Sequence, residues 1–154
     1  MNVFIASDHG GFELKAYLLK ELGKDKNLKL EDCGSYSLDP GDDYPDYAFK
    51  LGEKVAKTKN SLGILICRSG VGMAVAVNKV KGARGCLILI PELAKRAREH
   101  DGLNVLCLAA EYADNKNNLE IAKSFLNTGF AVDGARTERD SRRVKKIEDY
   151  EGSN

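Results

Sequence analysis

Leu62-Gly63-Ile64-Leu65-Ile66-Cys67-Arg68-Ser69-Gly70-Val71-Gly72 decides how the chain is read. A short apolar run reaches Cys67, a polar glycine-bearing turn stops it, and a stretch rich in Ala and Val continues from 70 to 80. An apolar run of this length between turn signals reads as a strand buried on both faces, and the stretch after it reads as a helix. The same alternation extends outward in both directions. Towards the N-terminus, Val3 to Ala6 reads as a first buried strand. Phe12, Ala16 and Leu19 recur at helical spacing over 11–23. Leu28 to Cys33 is a less apolar second strand, placed near a sheet edge, and Gly34 to Asp43 is a loop. Tyr47, Leu51 and Val55 mark a second helix. Towards the C-terminus, Arg84 to Ile90 reads as a fourth strand, with Pro91 suited to the first turn of the next helix. Val105 to Ala110 is a fifth strand. Ile121, Ala122, Phe125 and Leu126 form one face of another helix.

Five strands alternating with helices predict an α/β fold of three layers, αβα, around a five-stranded parallel sheet. The expected arrangement is Rossmann-like, with strand order 2-1-3-4-5. One domain is expected over 1–154, without repeat, linker or low-complexity segment. Its charged tail keeps Val144 and Ile147 three apart and reads as a surface or interface helix over about 138–150.

Composition narrows the function. Of 154 residues, 43% are apolar and 31% charged, and the formal net charge is +1, so any anionic ligand must be held by a local cluster. The longest strongly apolar run, Cys86 to Ile90, is far short of the ~20 residues of a membrane span. Val3 to Ala6, interrupted by Asp8 and His9, is too short for a signal peptide. A soluble cytoplasmic protein is expected. Cys33, Cys67, Cys86 and Cys107 form no C-x-x-C pair, and the chain has two histidines, so neither a metal site nor a dithiol is expected. Cys86 and Cys107 lie in apolar runs and read as buried small hydrophobes. Arg136, Arg139, Arg142 and Arg143 lack the interleaved aromatics of a nucleic-acid surface.

In parallel sheets ligands bind beyond the carboxyl ends of the strands, where the winding reverses. Strand order 2-1-3-4-5 brings two loops to that point: Ser7-Asp8-His9-Gly10-Gly11 and Cys67-Arg68-Ser69-Gly70-Val71-Gly72. Gly70 and Gly72 let the backbone approach a ligand, and free amides at the following helix start favour developing negative charge. A thiolate at Cys67 beside such amides suits nucleophilic attack or proton abstraction next to a carbonyl. The plain alternative, a buried cysteine before a phosphate-binding turn, is not separated from it by the loop alone. Asp8 suits a helix cap, His9 a surface loop, and Tyr44 either a phenol in the cleft or a packed aromatic. His100 precedes strand five, at the amino-end face of the sheet. It is either a helix-terminal histidine favoured by the dipole or a contributor to a neighbouring subunit's site. Arg139 and Arg143 are four apart, so one helix face presents both, as a phosphate clamp or a solvated face.

Taken together, these residues resemble the family of ribose-5-phosphate isomerase type B and galactose-6-phosphate isomerase. The matching motifs run through the chain in family order: Ser7-Asp8-His9-Gly10-Gly11, Asp43-Tyr44-Pro45, Gly63 to Cys67, Gly70-Val71-Gly72, Asn78-Lys79, Arg98-Glu99-His100 with Asn104-Val105-Leu106, and Arg139 with Arg143. The resemblance implies a cofactor-free aldose–ketose isomerase of the pentose phosphate pathway, acting through an enediolate, with ribose 5-phosphate as first substrate and four- or six-carbon aldose phosphates as alternatives. It implies Cys67 as the base, Ser69 and the loop through Gly70 and Gly72 as enediolate stabilisers, and His100 as the ring-opening group. Asp8, His9 and Tyr44 are implied around the sugar, and Arg139 and Arg143 on its phosphate. It also implies a homodimer, with dimers pairing into a tetramer as the alternative.

Three positions depart from the family pattern: Arg68 replaces the Gly after the cysteine, Glu111 stands where many members have a phosphate-binding Arg, and Asp101 replaces the Asn after the histidine. Arg68 is expected to supply part of the phosphate charge absent at 111, and Asp101 is counted among the substrate ligands. Two rivals belong to other classes. A flavodoxin-like or response-regulator-like binding module is opposed by the lack of an acidic cluster after strand one and of G-x-G-x-x-G in the first loop. An inactive paralogue that only pairs with another subunit is kept open by the changes at 68 and 111.

Overall fold

The structure, a computed structural model, describes residues 1–131 and 137–153. Arg136, one of the tail arginines, lies outside them. The elements in chain order are β1 (Asn2–Ser7), a single 3-10 turn (His9–Gly11), α1 (Phe12–Leu22), β2 (Lys29–Asp32), α2 (Tyr44–Lys57), β3 (Ser61–Cys67), α3 (Val71–Val77), β4 (Gly85–Leu87), α4 (Pro91–Asp101), β5 (Val105–Ala109), α5 (Asn115–Leu126) and α6 (Thr137–Gly152).

The two-residue period of the strands sorts the core into two halves. Val3, Ile5, Ile64, Ile66, Leu106 and Leu108 face one side and pack against α1, α4 and α5 through Leu18, Ala94 and Phe125. Phe4, Ala6, Leu65, Cys67, Val105 and Cys107 face the other and meet α2 and α3 through Leu51, Met73 and Val77. Full burial of each large aliphatic side chain contributes about 1.5–3 kcal/mol, which makes this double-sided sheet the dominant stabilising element. The three-layer parallel architecture is the expected one, and half-exposed β2 is an edge strand as its composition predicts.

The far edge corrects the expectation. The strand order is β2-β1-β3-β5-β4, not 2-1-3-4-5. β5 pairs with β3 from Gly63↔Val105 to Cys67↔Ala109, and β4 pairs only with β5. Burial explains the exchange. All five residues of β5 are apolar and buried, so this strand belongs inside the sheet. β4 has three residues, none of them buried, and tolerates an open side. Cys86 is accordingly exposed, against the expectation from its apolar run, whereas Cys107 is fully buried and its thiol is pushed well up by that burial. Leu89 and Ile90, read as part of the fourth strand, lie beyond it with 41% and 53% of their surface exposed.

Local signals fix the elements that carry the polar groups. Pro45 and Pro91 sit in the first turns of α2 and α4. α4 ends on Gly102 at φ 62°, whose N–H donates to the Ala97 carbonyl. α6 packs on α4, with Val144 buried and Ile147 exposed. Lys15 of α1 is buried to 2% and donates to Asp32 at 2.7 Å and to the Ser35 carbonyl at 2.5 Å. It thereby ties down the segment that hydrogen-bonds to both sides of Ser7 at the end of β1.

Candidate active site

The loop after β3 is held over a nearly closed sulfur. Cys67 is 5% exposed, and its Sγ receives the Gly70 N–H at 3.1 Å. Gly70 makes that turn at φ +72°, a conformation that suits glycine. α3 has seven residues, shorter than the expected 70–80, so the amides of the turn matter more here than the dipole of the helix. Ser69 Oγ accepts from the Val71 N–H at 3.3 Å. Tyr44, the first residue of α2, leans its ring on Gly72, where a Cβ would come within 2.8 Å of the ring. The phenol is thus both packed and 38% exposed.

The loop after β1 docks onto the same place. The Asp8 N–H donates to the Ile66 carbonyl at 3.3 Å, and Gly10 lies so close to Arg68 that a Cβ would meet its Cγ at 2.5 Å. Asp8 does act as a cap, since Oδ1 accepts from the Gly11 N–H at 3.1 Å. Burial pushes its carboxyl up, and the Gly11 amide opposes that. His9 is gripped by Asp42, whose Oδ1 accepts its backbone N–H at 3.0 Å and lies 2.7 Å from ring Nδ1. Burial works to raise the Asp42 pKa, but the His9 donors prevail and hold it below the usual range.

Arg68 is not free. Its Nη1 is 2.7 Å from Glu111 Oε1, and the Glu111 N–H donates to the Arg68 carbonyl at 3.0 Å. The β3–β5 pairing makes this possible, because it carries the chain beyond β5 alongside the chain beyond β3.

A second group forms at the other end of the sheet. A cavity of about 330 Å³ is lined by Leu93, Arg96, Ala97, His100, Asp101, Arg139, Asp140 and Arg143. Arg139 and Arg143 share one face of α6, as their spacing predicts, and both are exposed. Asp140 between them is buried to 2%; its Oδ2 lies 2.8 Å from His100 Nδ1, and its Oδ1 lies 3.4 Å from Arg139 Nε. The His100 bond first, then Arg139, holds the Asp140 carboxyl below the usual aspartate range.

The residues singled out from sequence therefore fall into two groups. Asp8, His9, Tyr44 and the loop from Cys67 to Gly72 converge at the carboxyl ends of β1 and β3. His100, Asp101, Arg139 and Arg143 converge at the amino end of β5. Among the described residues no hydrogen bond or ion pair joins the groups. β5 is five residues long, about 16 Å, and its length lies between the level of His100, before Val105, and that of Cys67, which is paired with Ala109. Two carboxylates were missed in the sequence reading. Asp140 was legible in principle, since positions 140, 144 and 147 recur on one helical face with Val144 buried. Asp42 carried no signal, because nothing distinguishes it within an acidic loop. Among the described residues no cluster of three or more metal-ligating side chains is present.

Comparison with known proteins finds relatives over nearly the whole chain. The profile of the Ribose/Galactose Isomerase family matches residues 3–147. A probable ribose-5-phosphate isomerase B from Mycoplasma pneumoniae is 46% identical over 97% of this chain and 94% of the relative. The crystal structure of ribose-5-phosphate isomerase B from Mycoplasma genitalium with bound ribulose-5-phosphate superposes with a TM-score of 0.91, at 42% identity, covering 99% of this chain and 97% of that one. The type B enzyme from Trypanosoma cruzi gives 0.92 at 32% identity, with both chains covered in full. With the family profile spanning nearly its whole length, and relatives this similar covered from end to end, the chain belongs to the ribose/galactose isomerase family.

Proposed function

We infer that this chain is an aldose–ketose isomerase that interconverts ribose 5-phosphate and ribulose 5-phosphate. The observation that carries the reading is the Cys67 sulfur at the carboxyl end of β3, with the Gly70 amide aimed at it and the Asp8–Gly11 loop docked alongside. In the open-chain aldose the C2 hydrogen is acidified by the C1 carbonyl. Cys67 takes that proton, and the charge spreads over O1, C1 and C2 as an enediolate. Donors fixed before the reaction stabilise such charge without reorganising. The Gly72 amide and the Ser69 hydroxyl are the donors suited to that role, while the Gly70 amide is engaged with the sulfur. Returning the proton to C1, while the O2 proton moves to O1, gives the ketose. Asp8, His9 and Tyr44 surround the sugar hydroxyls.

The separation of the two residue groups supports a homodimer in which His100, Asp101, Arg139 and Arg143 of one copy complete the site of the other. Val71, Val75, Leu89, Ile90, Leu93 and Ile147 expose between 41% and 59% of their surface on α3, α4, α6 and the segment after β4. Such an apolar surface suits contact with a second copy. α6 then serves as the interface helix of a single 1–154 domain. A cytoplasmic location belongs to the same reading, and the four free cysteines suit a reducing compartment.

The test is isomerisation in D2O. The wild type should convert ribose 5-phosphate with deuterium entering at C2 or C1. General base catalysis contributes roughly 10²–10⁴-fold, so Cys67→Ala should lose about that much. Undiminished turnover in that variant would remove the sulfur from the mechanism. A panel of four- and six-carbon aldose phosphates checks the chain length.

A further inference from the structure

We propose that Asp140 is the positioning residue for His100, forming with it a carboxylate–imidazole pair that opens the sugar ring. The proposal rests on the isomerase reading above and adds to it a residue that the sequence did not single out. Asp140 is held from both sides. Oδ2 lies on His100 Nδ1 at 2.8 Å, while Oδ1 faces Arg139 Nε at 3.4 Å and Arg143 Nη1 at 3.8 Å. The carboxylate side chain is 3% exposed, so it cannot swing to solvent, whereas the imidazole is 29% exposed and lines the arginine-rich cavity.

Chemistry then fixes the ring. An ionised carboxylate only accepts hydrogen bonds, so Nδ1 must carry the hydrogen of the neutral imidazole, and Nε2 keeps the lone pair. Nε2 is the nitrogen left for a ligand in the cavity. For a furanose phosphate the step balances without a further reactant. Nε2 takes the proton from O1, the O1 electrons form the C1 carbonyl, the C1–O4 bond breaks, and the same proton passes to O4. Both oxygens are bonded to C1, so one imidazole can serve both. Asp140 stabilises the transient imidazolium and holds the ring in one orientation.

The bland reading is that Asp140 merely docks α6 onto α4. Substrate chemistry separates the two. Ribose 5-phosphate closes through O4 and must be opened. Ribulose 5-phosphate has its O5 esterified and stays open-chain. Exchange of its C1 hydrogen with D2O therefore reports proton transfer by Cys67 with no ring step. The measurement is the ratio of ribose 5-phosphate turnover to C1 exchange at saturating substrate, for wild type, Asp140→Asn, His100→Asn and the double variant. Asp140→Asn should lower the ratio roughly tenfold to a hundredfold, part of a general acid–base contribution. His100→Asn should lower it at least as much, and the double variant no further than His100→Asn. Asp140→Glu, which keeps the carboxylate, should recover most of the ratio.

A parallel fall of both reactions in Asp140→Asn, unrecovered in Asp140→Glu, would reduce Asp140 to structural support and overturn the proposal. An unchanged ratio in Asp140→Asn beside a lowered one in His100→Asn would overturn it while leaving the isomerase reading intact. An unchanged ratio in His100→Asn would remove ring opening from His100 altogether. Absence of both reactions from the wild type would sink the isomerase reading itself.

Discussion

Arg68 and Glu111 form a side-chain ion pair beside the Cys67 loop. Both are more than half exposed, so their 2.7 Å ion pair is a weak one, worth about 0–1 kcal/mol. A weak pair is easily exchanged for a dianionic phosphate, which interacts more strongly with a guanidinium than one carboxylate does. If Arg68 takes that role, Glu111 competes with substrate. Arg68→Ala should then raise KM for ribose 5-phosphate steeply, while Glu111→Gln should lower it. Neither change should move the unfolding free energy by more than about 1 kcal/mol. Steady-state kinetics beside denaturant titrations check both halves, and an unaltered KM in Arg68→Ala would take Arg68 off the phosphate. At this scale the sequence exposed the unusual residues but not their partnership. Arg68 and Glu111 are 43 positions apart, and only the shared β3–β5 edge joins them.

The elements show what a helix end and a strand end can position. α4 and α6 meet through Asp140 and His100, and the bond to His100 keeps the Asp140 carboxyl below its ordinary value of 3.8. A carboxylate with a lower pKa folded than unfolded adds stability that is complete above the unfolded value and drains as pH falls through the folded one. The α4–α6 contact should therefore weaken on acidification below about 3.8, and Asp140→Asn should flatten that part of the stability–pH curve. Urea unfolding from pH 3 to 6 on both proteins measures it, and identical slopes would contradict the assignment. The element boundaries were mostly legible, because prolines, glycines and apolar spacing are local. β4 was read too long, because Leu89 and Ile90 look like strand residues whether they face a core or a second molecule.

At the scale of the whole molecule, the central question is whether one chain holds a complete site. In a dimer of Cys67→Ala with His100→Ala, one of the two shared sites regains both wild-type residues. Random reassociation makes half of the dimers mixed, so a mixture of the two inactive variants should recover about a quarter of wild-type activity. No recovery beyond the sum of the separate variants would confine the site to one chain. Val75 on α3 is 59% exposed and has no structural need to be apolar within a monomer. Val75→Glu should shift the protein towards a folded monomer with lost turnover, read by sedimentation beside circular dichroism. Retention of both dimer and activity would show that α3 faces water.

The sequence by itself determined that strands and helices alternate and that β1 and β3 are buried strands, and it singled out the polar loops after β1 and β3 as the candidate site. Those features depend on residue type and spacing within a few positions, so they are written locally. The tertiary structure alone decided that β5 enters between β3 and β4, that Asp42 grips His9 across 33 positions, and that Asp140 grips His100 across 40. These follow from which apolar faces bury best against one another, and that competition is settled only when the whole sheet is assembled.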